Sequence, residues 1–238
     1  MHFHLPKPLH GWREFLGEVG VIVIGVLIAL GFEQIVQSVH DRNVAAEARD
    51  NVRDEAALNL SAIRERLDLQ PCIERRLGEI SRILSKAGDG ILQTQPSWIG
   101  LPPTWPFFHA RWEAATASGR NSLFPFDEQQ RFSQIYEVFS RYDEYQAREQ
   151  ELWAQLRVLE TWQGPLGAEA RWSFASALQQ AKYFAWDLNY AGTYAIRNGA
   201  AMGLSPPRPE SHVHSICLPI TTSRADALRQ LKSPFGAP

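Results

Sequence analysis

Fourteen consecutive residues, Val19 to Phe32, read VGVIVIGVLIALGF and carry no charge. A helix of this composition has no polar face to offer water, so either protein or lipid must cover it all round. On its own the run reaches only ~21 Å, short of the ~30 Å hydrocarbon core of a bilayer. Phe15 and Leu16 extend it on one side, and Ile35, Val36 and Val39 on the other. From Phe15 to Val36 a helix covers ~33 Å, enough to cross. The expected organisation is a short tail over 1–14, a transmembrane anchor over 15–39 and a soluble domain over 40–238. Trp12 and the histidines before it suit a headgroup belt.

Other readings of the run fare worse. A cleaved signal peptide needs a small-x-small exit, and GFEQIVQ does not supply one. A buried soluble helix is seldom so uniformly Val/Ile/Leu on every face, and an in-plane helix needs the polar face that is missing. Orientation is less determined, because Lys7 and Arg13 precede the span while Arg42, Arg49 and Arg53 follow it. The short leading segment and the large following body match an uncleaved signal anchor, which leaves the body outside the cytoplasm.

Composition removes several function classes. The 238 residues carry a net charge of −2, with no Lys/Arg block to neutralise phosphates, so nucleic acid is not an expected partner. Eight Trp, six Tyr and twelve Phe are ample material for a core and argue against disorder. Two cysteines exclude both a disulfide-dense scaffold and a four-cysteine zinc site.

Beyond Asp41 the pattern is helical. Ala45, Ala48, Val52, Ala56, Leu60, Ile63 and Leu67 recur at three- and four-residue steps, which predicts one rod running from the membrane to about Gln70. Pro71 breaks or kinks it, and Ile73, Leu77, Ile80 and Leu84 restart the stripe. A proline-rich loop over 88–107 follows, with two buried tryptophans at most. Phe108 to Ser118 reads as a short helix closed by Gly119. Asp127, with Gln130 three residues on, predicts a capping box at the start of a helix bearing Phe132, Ile135, Phe139, Tyr142, Leu152, Leu156 and Leu159 on one face. Gly164-Pro165 separates that helix from a Trp/Tyr-rich one ending near Gly199. A Pro-rich tail from 204 and a last short helix over Ser223 to Lys232 complete the chain. No alternating strand run of any length occurs. The expected fold is all-α: one N-terminal membrane helix continuing into a stalk, then an antiparallel helical bundle.

The anchor FLGEVGVIVIGVLIALGFEQ resembles the amino-terminal signature of a group of uncharacterised bacterial membrane proteins, in which Gly-Glu precedes a Val-Ile-Gly-x-Leu-Ile-Ala-Leu core. The segment RWEAATASGRNSLFPFDEQQRFSQIYEVFSRYDEY is similar to that group's second block. The resemblance touches about the first 50 residues and then 111–145. It implies a single-pass inner-membrane protein with a mostly helical body, and it transfers no catalytic residue.

Candidate chemistry is sparse. Glu18 and Glu33 lie about 60° apart around a helix, with Ile22, Gly25 and Ala29 between them on that side. They read as interfacial carboxylates at the two ends of the span, or else as a proton- or partner-sensing pair. Gly25 and Ala29 form a small-xxx-small pair, and Gly17, Gly20 and Gly31 also allow close approach of a second helix. Cys72 and Cys217 can form a disulfide if the body is exported, and otherwise are two buried thiols. His109 and Glu113, four residues apart, and the pair His212 and His214 are the nearest approach to a metal site, but neither cluster completes one. No serine has a nucleophile-elbow context and no glycine-rich loop follows a strand, so neither catalytic residues nor a cofactor are expected. The stretch WSFASALQQAKYFAWDLNYAGTY reads as core, with an apolar ligand groove as its alternative. The leading functional reading is a membrane-anchored interaction or assembly module with a periplasmic helical domain, whose partners are the lipid bilayer and either a second copy or a membrane complex. A ligand sensor or enzyme among the Trp/Tyr-rich helices, and an accessory subunit of a membrane complex, are the alternatives.

Overall fold

The computed structural model describes residues 12–87, 90–207 and 213–231. Among them every regular element is helical: α1 (Trp12–Asp68), α2 (Gln70–Ala87), α3 (Ala110–Ala117), α4 (Phe126–Arg157), α5 (Ala168–Ala201) and α6 (Arg224–Gln230). Single 3₁₀ turns occupy Arg120–Leu123, Val158–Glu160 and Ser215–Cys217. One isolated bridge, Ile91 to Pro165, is the only β contact among the described residues. Most of the expected 1–14 tail lies outside the described residues, and α1 is already helical at Trp12.

α1 is a single 57-residue helix with two different halves. Its side chains from Phe15 to Asn43 are exposed or nearly so, and burial begins at Ala45. Val52, Ala56, Leu60 and Ile63 then fall on one buried stripe, as their three- and four-residue spacing requires. Leu69 alone separates α1 from α2. Its N–H donates to the Glu65 carbonyl, while its own carbonyl accepts from Cys72 and Ile73. Pro71 therefore sits in the first turn of α2, where its missing N–H costs no intrahelical bond.

The contacts fix the directions of the long helices. α4 runs with α1, because Arg49 and Arg53 meet Glu128, Glu55 meets Tyr136, and Arg66 meets Glu149. α5 runs against α4, with Gln134 on Tyr194, Tyr142 on Leu188 and Gln155 on Ser173. One apolar cluster joins Val52, Leu60 and Ile63 to Phe139, Leu188 and Ala195. A second joins Ile73, Leu77 and Ile80 to Trp153, Phe174 and Leu178. The same helix, α5, thus covers α1 with its C-terminal half and α2 with its N-terminal half.

That contact is close because α5 carries glycine where it meets α1. A Cβ on Gly192 would collide with the Tyr142 hydroxyl and come within 3.0 Å of the Ile63 side chain. Tyr142 is fully buried and donates its O–H to the Leu188 carbonyl, so it cannot step aside without losing that bond. Gly192→Ala is therefore expected to destabilise the protein by roughly 2 kcal/mol, the usual scale of overpacking, despite alanine's better helix propensity. Urea unfolding of the variant checks this, and an unchanged midpoint would contradict the packing described here.

Two irregular segments lie along the helices. Residues 90–109 are non-helical and return from the α2 end to the α1 side. Two buried amides hold this strap as a β-neighbour would. Gln146 accepts from the Trp105 N–H and donates to its carbonyl, and Asn59 does the same for Phe108. Trp98 is buried in the strap, whereas Trp105 is only half-buried and donates its indole N–H to Glu65. The segment after α5 climbs in the opposite sense, with Ser61 on Pro207, Glu65 near His214, and Arg75 on Cys217.

Helix ends differ in one respect from expectation. Gly119 has φ 71° and terminates α3, and Ser223 caps α6 by accepting from the Asp226 N–H. Asp127 does not cap α4. The helix starts two residues earlier, behind Pro125 in an extended conformation, so Asp127 and Glu128 lie in the first turn, where the helix dipole favours a carboxylate. Glu128 is then occupied by Arg49 and Arg53. On the face of α4, Trp153 takes the fully buried position and Leu152 is half-buried.

Candidate functional site

The candidate site is the unpartnered length of α1 together with the surfaces the body presents beside it. The apolar part of α1 has a mean hydropathy of 2.4 over its best window, and none of that window is buried against the chain. It is long and apolar enough to cross a membrane. Cβ atoms added at Gly17, Gly20, Gly25 or Gly31 would meet nothing within 4 Å. The small residues of the span therefore have no packing role within the described chain, in contrast to Gly192 and Gly199 in α5. Glu18, Glu33 and Ala29 are likewise exposed.

The Trp/Tyr-rich helix divides between core and surface. Phe174, Leu178, Phe184 and Leu188 face inward. Trp172, Tyr183, Trp186 and Tyr190 face outward, each more than half exposed. Trp186 stacks on Tyr190 with ring centres 5.9 Å apart and is 6.4 Å from Tyr183, forming a ladder along the outer face. A recess of about 270 Å³ opens beside Trp186, between Glu74 and Lys182, and one of about 280 Å³ beside Tyr190, between Glu137 and Arg141. Reading the whole stretch as core missed this face. Its signal is the three- and four-residue spacing of Tyr183, Trp186 and Tyr190, offset from that of the buried set.

The buried charges have structural employment. Glu55, on α1, accepts from the Arg111 and Trp112 N–H groups and from the Tyr136 hydroxyl. It thereby caps α3, whose own N-cap residue, His109, makes no side-chain bond to the helix end. Burial, and next the bond to Glu55, push the Tyr136 hydroxyl well above the ordinary tyrosine range. Arg66 and Glu149 form an ion pair at 3.0 Å with both side chains 1% exposed. Burial pushes the Glu149 carboxyl up, against the pull of Arg66. Arg76, fully buried, donates to the carbonyls of Trp98, Ile99 and Leu218, tying the strap to the tail, and pairs with Glu79. Burial lowers its pKa, with Glu79 opposing.

His109 and Glu113 do not form a site. His109 Nε2 lies 2.8 Å from Asp143, while Glu113 is exposed. Among the described residues no group of three or more His, Cys, Asp or Glu is placed to hold a metal ion. His214 faces Glu65 at 3.3 Å, and His212 lies outside the described residues. Cys72, in α2, is joined to Cys217 of the tail, with Cα atoms 5.0 Å apart and a sequence separation of 145.

No family model, curated protein or solved structure matches this chain.

Proposed function

We propose that this chain is a single-pass membrane protein that acts as an interaction or assembly module, self-associating through its glycine-bearing span and displaying a helical bundle outside the cytoplasm. The observation that carries the proposal is the continuity of α1: its apolar half has no cover among the described residues, while its other half is built into the core. A rigid helix of this kind couples whatever the span does in the bilayer to the position of the body. The Cys72–Cys217 bond supports an oxidising compartment, and the resemblance of the anchor to bacterial inner-membrane proteins favours the periplasm. Gly25, where an added Cβ would meet nothing among the described residues, and the exposed Ala29 support close packing of a second helix.

Chemical crosslinking of the full chain in native membranes tests the proposal. A dimer or larger species is expected, with its yield reduced by Gly25→Leu. Monomers alone, at a protein density where a control membrane dimer crosslinks, would sink it. A second reading, favoured by the ladder of Tyr183, Trp186 and Tyr190, places a ligand or partner on the outer face of α5. Trp186→Ala would then abolish co-purification of that partner in mild detergent while leaving the melting temperature within a degree or two, since Trp186 makes little buried contact.

A further inference from the structure

We infer that the end of the body from which α1 emerges is seated in the interfacial layer of the same bilayer that α1 crosses, with Leu123 and Phe126 inserted among the lipids. This rests on the reading of α1 as a membrane span. Leu123 is 58% and Phe126 72% exposed, large apolar side chains flanking Pro125 at the start of α4. Their place along α1 is set by Glu128, which lies just beyond them and binds Arg49 and Arg53. Leu123, Phe124 and Pro125 share one open recess with α1 residues from Gln34 to Arg49. The base of the body therefore overhangs the last turns of the span. Val39 is six residues short of Ala45, where burial begins, a rise of ~9 Å along the helix. The polar layer on one side of a bilayer is ~5–8 Å deep, so residues on the membrane side of Ala45, where Leu123 shares its recess with Gln34, Gln37 and Ser38, fall at its level.

The charge around the base says how the contact is made. Arg42 and Arg120 are exposed here, but so are Asp41 and Asp127. With both signs present there is no cationic patch to select anionic lipid, and the seat depends on the two apolar side chains. Insertion is then independent of the fraction of anionic lipid, whereas an electrostatic contact would vary with it.

The test uses the full chain reconstituted in phosphatidylcholine vesicles, with a nitroxide on Leu123→Cys, on Phe126→Cys, on Leu27→Cys in the span, or on Leu228→Cys of α6. Leu228 is an equally exposed leucine away from the base, 59% against 58% for Leu123. The parent chain, treated identically, corrects for label elsewhere. Relaxation by oxygen, which concentrates in lipid, is compared with relaxation by an aqueous nickel chelate. The expected result is oxygen dominance at positions 27, 123 and 126, nickel dominance at 228, and the same pattern when anionic lipid is added. Oxygen dominance at 27 with nickel dominance at 123 and 126 would overturn the seat and leave the span intact. Nickel dominance at 27 would overturn both.

Discussion

Cys217→Ser lowers the melting temperature of the protein by ~10–20 °C. In the chain-entropy model a bridge across 145 residues restricts the unfolded chain by about 5 kcal/mol, and each kcal/mol is about 2–4 °C for a body of this size. The effect is large because the bridge joins the two ends of the body, α2 and the segment after α5. Without it the tail retains the carbonyl contacts of Arg75 and Arg76, so the tail stays docked while the unfolded state regains its freedom. Calorimetry of the parent and variant checks this, and reduction of the parent should reproduce the variant. A shift of only a degree or two by both routes would show that the bridge is not formed in the folded protein.

Arg66→Met costs about 3–5 kcal/mol at neutral pH, because it leaves Glu149 buried without its cation. The variant also changes how stability depends on pH, and the sign follows from linkage. Burial already raises the Glu149 carboxyl above its unfolded value, and Arg66 opposes the rise. Without Arg66 the folded-state pKa moves further up. Between the unfolded and folded values the native state binds more protons than the unfolded state, so stability falls as pH rises through that window. The difference between variant and parent is thus smallest below the ordinary carboxylate range and grows towards neutrality. Urea midpoints measured from pH 4 to 7 would show this widening, while a constant difference would mean that Glu149 does not lose its partner.

Much of the helical architecture is legible in the residues, and the reasons are local. The stripe Val52, Ala56, Leu60, Ile63 announces a half-buried helix by spacing alone. Gly119 and Ser223 act as helix punctuation because their conformations and bonds involve immediate neighbours. Asp127 has the right chemistry for a cap, yet Pro125 already sets an extended residue two positions earlier, and the helix begins behind it. Residues 88–107 read as loop, but nothing nearby says that Asn59 and Gln146 hold the strap, since those partners are 41 to 49 residues away. Glu55 capping α3 is hidden for the same reason. The aromatic stretch of α5 shows its composition plainly, but only its contacts with α2 and α4 decide which rings face inward. Of the candidate site, the span and its small residues are visible in sequence. The apolar base at Leu123 and Phe126 is not, because two residues in a short turn carry no periodicity.

Self-association through the span and the seating of the body both depend on α1 crossing a bilayer. Alkaline carbonate extraction of membranes from cells producing the full chain tests this directly. Retention of the chain in the membrane pellet, with release only by detergent, is the result expected of a spanning helix. Release into the carbonate supernatant would contradict it, and the exposed apolar half of α1 would then need a protein cover instead.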